Sequence, residues 1–316
     1  MVEVIASALL PILFVVGLGY VAARWNIIPG NAAGAFAAFV VKLALPLSLF
    51  LAAAKANPSD LSNTSYVLAF VVGFMATFAI GIVLGYFMFK HDLRASTIQG
   101  LICGFPSMAY CGPPVLLAVV GPSGILAVLV GNLVTSLVMM PIALVLLHDD
   151  GNTGPGPKQS RTKIIGVSLL GAVRQPLVWL PVLGAACSLL HVPVPAILLS
   201  MTNEVGSAAG GVALFTLGLM LAGLTFKMDR EVLLNVFVKN ILQPALLLGA
   251  ALAFGLRGAL AQEVFLMGVL PAATLVPALA HTNTAYESEA SLSAMASTLF
   301  SIISIAAGIA IAKAVL

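Results

Sequence analysis

Charged side chains are scarce in this sequence. Asp, Glu, Lys and Arg make up 8% of its 316 residues, hydrophobic residues make up 61%, and the mean hydropathy is +1.12. Soluble globular chains carry about 25% charged residues, so this composition excludes that class and predicts an integral membrane protein. The formal net charge of +3 is small, and we expect membrane lipid and a small molecule as partners, and no nucleic acid.

Cysteines and catalytic motifs are also few. Cys103, Cys111 and Cys187 all lie in apolar segments, and three dispersed cysteines make neither a disulfide framework nor a metal site. The chain contains no H-E-x-x-H, G-x-S-x-G or Walker sequence. We therefore expect no enzyme, no cofactor, no bound metal, and a chain that is not a primary pump by itself.

Apolar runs long enough to cross about 30 Å of hydrocarbon recur along the whole chain. Charged residues and Gly/Pro breaks separate these runs into ten candidate spans. The spans are 4–23, 34–54, 65–89, 96–120, 124–147, 175–191, 197–224, 232–255, 264–281 and 289–312. We predict a single all-α transmembrane domain over 1–316, in which the first run stays as a helix and is not removed as a signal peptide.

Lysines and arginines are unevenly divided between alternate loops. The basic side carries Arg24, Lys90, Arg94, Lys158, Arg161, Lys163, Arg174, Lys227 and Arg230, and the other side carries Lys55, Arg257 and Lys313. By the positive-inside rule the basic side is cytoplasmic. The prediction is a multi-pass protein of the cytoplasmic (inner) membrane, with both termini outside the cytoplasm and the polar loop 149–163 inside.

Prolines recur at a nearly constant interval on the two sides of that loop. Shifts of 166, 165 and 163 residues relate Pro29 to Pro195, Pro106 to Pro271, and Pro114 to Pro277. The interval predicts two repeats, 1–148 and 164–316, joined by the loop. Because each repeat has five spans, an odd number, the second enters the membrane in the opposite orientation, and we predict a 5+5 inverted repeat.

Two spans are interrupted at corresponding positions. The fourth contains Gly104-Phe105-Pro106-Ser107, and the ninth contains Pro271 and Pro277. Such a break frees backbone groups that hydrocarbon cannot satisfy, so it is tolerated only where protein or a water-filled cavity satisfies them. We predict that discontinuous helices 4 and 9 cross near the midplane and that their half-helix ends form a substrate site. The alternative is that these prolines merely kink ordinary helices.

The candidate substrate-binding residues lie on both breaks and on the second span. Hydroxyl groups can hydrogen-bond a ligand, and a glycine lets it approach the backbone closely. Lys42 is deep enough in its span to serve as counter-charge for a carboxylate, and snorkelling to the interface is the alternative. The full set is Ser107, Tyr110, Gly112, Pro114, Thr274, Pro277, Lys42, Pro46 and Ser48.

Other polar residues within or near the spans receive structural interpretations. For Lys239 we favour snorkelling. Glu204 is the only acid expected within a span, and a structural role is preferred for it over a proton or sodium role. Packing is likewise preferred for Asn132, Thr135 and Ser136.

The chain resembles the auxin efflux carrier family over essentially its whole length. The resemblance is carried by Leu45-Pro46-x4-Leu51, Phe105-Pro106-x5-Gly112-x-Pro114, Gly121-Pro122-Ser123-Gly124, and Lys239-x4-Pro244 with the ninth-span prolines. It implies a ten-helix inverted repeat with a scaffold part and a transport part, elevator-type alternating access, and a homodimer formed through the scaffold. The family usually has Asn where this chain has Ser107, and Gly-Ile-Pro where it has Gly112-Pro113-Pro114; these departures concern the substrate more than the fold.

The residues and the resemblance together predict a secondary transporter of small organic anions, of the malonate or malate kind. The coupling ion stays open between H+ and Na+. The alternatives are a sodium-coupled organic anion symporter of the bile-acid type, a passive channel and an intramembrane enzyme.

Overall fold

The computed structural model describes residues 2–29, 32–55, 63–148, 166, 170–171, 174–223 and 228–315. Every regular element within these ranges is a helix. The expectation of an all-α membrane protein is therefore confirmed for the described part of the chain. The predicted loop 149–163 lies outside it.

We number twelve helices among the described residues, each joined to the π-helical, 3-10 or single-turn residues that continue it. They are α1 Val2–Arg24, α2 Ala33–Lys55, α3 Thr64–Met88, α4 Leu93–Gly104, α5 Met108–Val119, α6 Pro122–Leu147, α7 Pro176–Leu189, α8 Ala196–Leu221, α9 Arg230–Ala253, α10 Gly258–Val269, α11 Leu275–Thr282 and α12 Glu287–Val315. Among the described residues, six of these helices are long and apolar enough to cross a membrane, namely α2, α3, α6, α8, α9 and α12.

Short polar side chains fix the starts of three helices. The carboxylate of Asp92 accepts a hydrogen bond from the backbone N–H of Ala95 at 2.7 Å, and that of Asp229 accepts one from Val232 at 2.8 Å. Asn63 caps α3 in the same way. Each cap satisfies one of the backbone donors that a helix leaves unpaired in its first turn.

Three prolines inside long helices follow π-helical turns and do not break the helix. A proline lacks the N–H, and its ring clashes with the carbonyl four residues earlier, so the preceding turn takes up one extra residue. A five-residue π-helical segment accordingly precedes Pro46, Pro141 and Pro244, at Val40–Ala44, Thr135–Met139 and Val238–Leu242. These three helices continue through their prolines.

Aromatic side chains at four-residue spacing form the buried face of α3. Tyr66, Phe70, Phe74 and Phe78 are all buried, and the first two rings meet edge to face at 5.2 Å. This face packs against α4 and α9, where Gly73 lies directly against Leu247. The helices around it form the largest hydrophobic core of the described residues.

The helices pack in two groups. In the first, α1 packs on α8, and α2 packs on α7 and α8. In the second, α3 packs on α4 and α9. Helices α9, α10 and α11 each pack on α12. Contacts of α5 with α8, and of α6 with α2, join the two groups.

Glycines allow α1 and α8 to touch backbone to backbone. A Cβ atom built on Gly218 would lie 2.0 Å from the carbonyl oxygen of Val16, and one built on Gly19 would lie 2.1 Å from that of Phe215. Membrane helices associate through such close approach of small residues, because lipid offers no hydrophobic driving force between them.

Candidate functional site

The two interrupted segments meet and hydrogen-bond to each other. Between α4 and α5, Pro106 pairs in antiparallel fashion with Ala272, which lies between α10 and α11. The backbone N–H of Ser107 donates to the carbonyl of Pro271 at 2.7 Å, and that of Ala273 donates to the carbonyl of Phe105 at 2.9 Å. Backbone groups freed by both breaks are thus satisfied inside the protein, as a site in the membrane interior requires.

A serine on α12 hydrogen-bonds to the backbone of the second interrupted segment. The Ser297 hydroxyl accepts a hydrogen bond from the N–H of Ala272 at 3.0 Å and donates one to Oδ1 of Asn240 at 2.6 Å. The Asn240 amide in turn donates to the carbonyl of Ser297 at 2.9 Å. Helices α9 and α12 therefore hold the second interrupted segment in place.

The carbonyl ends of α4 and α10 are held by two side chains of α9. The Lys239 ammonium donates to Oε1 of Gln243, to the carbonyl of Gly268 at 3.3 Å and to that of Leu270 at 2.5 Å. The Gln243 amide nitrogen donates to the carbonyl of Gly104 at 2.8 Å and to the Thr77 hydroxyl at 3.2 Å. These contacts satisfy orphan carbonyls at the C-terminal ends of both half-helices.

A cavity of about 630 Å³ lies at the N-terminal ends of α5 and α11, the helices that follow the two interruptions. Ser107 and Met108 of the α5 N-terminus and Thr274 and Leu275 of the α11 N-terminus line it. The remaining wall comes from α6, from the start of α7 and from the end of α8. Its further polar lining residues are Asn132, Ser136 and Gln175, and its apolar ones include Met140, Leu144, Leu177 and Met220.

The electrostatics of this cavity favour an anion. The N-terminus of a helix carries a partial positive charge, and two helices begin at the same cavity wall. Hydroxyl and amide groups supply hydrogen-bond donors. Among the described residues that line the cavity there is no carboxylate.

The structure brings together only part of the predicted substrate-binding set. Ser107 and Thr274 both line the cavity. Gly112 is buried in α5 and faces Val128, which an added Cβ would meet at 3.0 Å. Pro114 lies opposite Gly210 at the contact between α5 and α8. Pro277 lies in α11 beyond the cavity-lining residues.

The remaining predicted positions lie away from this cavity or outside the description. Lys42 is exposed on its π-helical segment, and Pro46 is buried in α2. Ser48 lines a second cavity, of about 540 Å³, together with Lys55 and other residues of α2, α6 and α8. The side chain of Tyr110 lies outside the described residues.

Two expectations about buried charges are wrong. Lys239 does not snorkel: its side chain is 0% exposed, because three oxygen acceptors inside the protein hold the ammonium. Glu204 is not the only acid within a helix of the core. Glu263, 2% exposed, lies in α10 and accepts a hydrogen bond from the Tyr66 hydroxyl at 2.5 Å; the predicted span begins at 264, whereas the helix begins at Gly258. Glu204 itself is exposed.

Of the three α6 residues for which packing is preferred, Asn132 bonds to another helix, and Asn132 and Ser136 also line the cavity. The Thr135 hydroxyl donates to carbonyls of its own helix. Asn132 donates to the carbonyl of Leu177 at 3.0 Å and also lines the cavity, as does Ser136. Asn132 therefore both bridges α6 to α7 and borders the candidate site.

Sequence reasoning missed a polar stripe on α9. Glu231, Asn235, Lys239 and Gln243 recur every four residues, the spacing that places side chains on one helix face. Asn235 bonds to Gln99 of α4 and to Tyr286 and Ser293 near or on α12. Glu231 bonds to His91 at 2.8 Å and to the Tyr286 hydroxyl at 2.5 Å. The four-residue period within an apolar span was the available signal.

A burial effect keeps one member of this network neutral. Tyr286 precedes α12, and burial together with its hydrogen bond to Glu231 raises the pKa of its phenol above the ordinary value. The phenol therefore stays protonated at physiological pH and donates to the Glu231 carboxylate.

The described helices define a multi-pass membrane protein with a cavity between two interrupted helices. The sequence model of the family described as "membrane transport protein" matches residues 4–307. The chain therefore belongs to this family, that of the auxin efflux carriers.

Individual relatives agree with the family assignment. The chain is 31% identical over 269 residues to the "uncharacterized transporter YfdV" of Escherichia coli K12, with 84% of each chain covered. It is 26% identical over 307 residues to a "putative malonate transporter" of Rhizobium meliloti, covering 94% of this chain and 92% of the relative. A mouse "lysosomal cholesterol signaling protein" is 25% identical over 224 residues, which are 68% of this chain and 26% of that protein.

Proposed function

We propose that this protein is a secondary transporter of small carboxylates of the malonate or malate kind and that it binds them in the 630 Å³ cavity. One observation carries the proposal: both helices that begin at the hydrogen-bonded crossing present their N-termini to the same cavity, whose described lining contains no carboxylate. The relative named a putative malonate transporter supports the choice of substrate.

In this proposal one carboxylate of the substrate binds at the two N-termini. The hydroxyl groups of Ser107 and Thr274 donate hydrogen bonds to it, and the helix ends supply favourable electrostatics. Ser136 and Asn132 lie on the facing wall, where they can reach a second carboxylate. The methionine and leucine side chains around them favour a small, compact acid over a highly hydrated ion.

We further propose a ten-span inverted repeat, which the helix positions support. Helices in the second half of the chain begin about 165 residues after counterparts in the first half. The pairs of first residues are Thr64 and Arg230, Leu93 and Gly258, Met108 and Leu275, and Pro122 and Glu287. Equivalent half-helices from the two repeats would then meet at the crossing.

An elevator-type alternation of access fits the positions of the two cavities. The 630 Å³ cavity lies at the N-terminal end of α5 and toward the C-terminal end of α6, and the 540 Å³ cavity lies at the opposite ends of the same two helices. In the proposed cycle, α3 to α6 and α9 to α12 move as one body against α1, α2, α7 and α8. The larger cavity lies toward the C-terminal end of α6, the side that the positive-inside rule assigns to the cytoplasm.

Uptake into proteoliposomes tests the proposal. Purified protein should show saturable flux of labelled malonate or malate, and internal unlabelled acid should accelerate it by counterflow. A passive channel would give flux without saturation or counterflow. If no mono-, di- or tricarboxylate is transported or raises the melting temperature, the proposed function is wrong.

A single hydroxyl tests the position of the site. Thr274→Val should weaken carboxylate binding about 10-fold or more, because a hydrogen bond to a charged group contributes about 1.5–3 kcal/mol. The matched control is Thr135→Val, since the Thr135 hydroxyl bonds to its own helix and does not line the cavity. Titration of malonate by calorimetry measures both; equal affinities in the two variants would place the ligand elsewhere.

A further inference from the structure

The carbonyl end of α10 and the Gln243 side chain form an arrangement that suits a cation. Gly268 and Leu270 contribute two backbone oxygens, and Gln243, whose amide nitrogen is held by the carbonyl of Gly104, adds its side-chain oxygen. C-terminal helix ends carry partial negative charge, and transporters with broken helices use such carbonyls to coordinate Na+. In this protein the position already holds a positive charge.

The Lys239 ammonium fills that position completely. It has three N–H donors, and the structure shows three acceptors for them: the Gln243 amide oxygen and the carbonyls of Gly268 and Leu270. Gln243 is fixed in the required orientation because both of its amide N–H groups are used, on Gly104 and Thr77. The side chain of Lys239 is 0% exposed.

The local backbone explains how the lysine reaches this place. Lys239 lies in the π-helical segment Val238–Leu242, which the proline at position 244 produces. Pro244 itself lies directly against Gly268, where an added Cβ would be 2.5 Å from the proline Cα. The close contact between α9 and the end of α10 brings the ammonium within hydrogen-bond distance of two α10 carbonyls.

We propose that Lys239 is a tethered cation that occupies the coordination site of a sodium ion, so that substrate binding at the crossing requires no Na+. Because all the acceptors found for the ammonium are neutral oxygens, its charge is not cancelled locally and adds to the attraction of the nearby cavity for an anion. The consequence for transport rests on the proposed carrier function; the occupancy of the carbonyl site does not.

The first test uses the unaltered protein. Replacement of Na+ by choline at constant ionic strength should change neither the melting temperature nor the uptake of malonate into proteoliposomes. A melting temperature or an uptake rate that rises with Na+ and saturates in the wild-type protein would overturn the inference.

The second test empties the site. Lys239→Ala removes the ammonium and leaves the carbonyls of Gly268 and Leu270 without their donor, so the melting temperature should fall by about 5 °C or more. Added Na+ or propylammonium should then restore stability, by about 3 °C at ten times the dissociation constant. Uptake by this variant, where measurable, should become dependent on the added cation.

Matched controls separate a specific site from a general salt effect. Lys313→Ala removes an exposed lysine near the end of α12 and should show no response to either cation. Choline, which has no N–H donor, should not rescue Lys239→Ala. A folded Lys239→Ala protein that responds to no cation contradicts the inference.

The outcomes also separate this inference from the proposed function. If Lys239→Ala is rescued by cations but the wild-type protein carries no acid, the tethered cation stands and the carrier proposal fails. If Lys239→Ala does not fold, the wild-type sodium measurement decides the question by itself.

Discussion

Replacement of Ser136 by aspartate is expected to weaken carboxylate binding on the order of 100-fold. Ser136 lines the wall of the cavity on α6 and is only partly buried, so a slightly larger side chain can be accommodated. Two like charges about 5 Å apart repel by about 3 kcal/mol at an effective dielectric constant of about 20. Calorimetric titration with malonate measures the loss.

The matched control for this substitution is Ser136→Asn, which has nearly the same size as aspartate without the charge. It should retain affinity within about a factor of ten, because it alters one hydrogen bond at most. Ser123→Asp places the same charge in the second cavity and tests its position. If Ser136→Asp and Ser136→Asn bind malonate equally, this cavity does not hold the anion.

Substitution of Gly218 by alanine is expected to separate α1 from α8 and to destabilise the protein. The added Cβ would lie 2.0 Å from the carbonyl oxygen of Val16, well inside van der Waals contact. That oxygen belongs to a helix backbone, so the clash is relieved only if the two helices move apart. Overpacking of this kind costs about 1–3 kcal/mol. The melting temperature in detergent should fall by about 5 °C or more.

The same change elsewhere on α8 provides the control. Gly211 has open space around its Cβ position, so Gly211→Ala should be neutral or stabilising, since alanine favours a helix over glycine. On α1 the pair Gly19→Ala and Gly17→Ala repeats the comparison. Equal melting temperatures within each pair would show that α1 and α8 do not touch in the way described.

The sequence predicts those features that proline and apolar length determine. Pro106 and Pro271 locate the two interruptions, because a proline in a spanning helix frees backbone groups whatever surrounds it. The repeat interval predicts that the interruptions meet, and the backbone bonds of Ser107 and Ala273 join them. Thr274 and Ser107 follow as candidates from their positions beside the breaks.

Side-chain environments are harder to predict because they depend on neighbouring helices. Lys239 is expected at the interface because a lysine stem can reach water, but the carbonyls that hold it belong to the end of α10, some thirty residues later in the chain. Lys42 occupies a comparable π-helical segment and is exposed. The local difference is that Lys239 has Gln243 four residues later, where Lys42 has Pro46, and the contacts with the end of α10 complete the buried environment of Lys239.

The bridge between Pro106 and Ala272 is formed by main-chain atoms alone. Its geometry does not depend on which side chains project into the adjoining chamber, so substitutions at positions such as 107, 136 and 274 can alter ligand preference without dismantling the framework. If substrate binds in the chamber as proposed, changes of its wall should alter specificity while the melting temperature stays near that of the wild type.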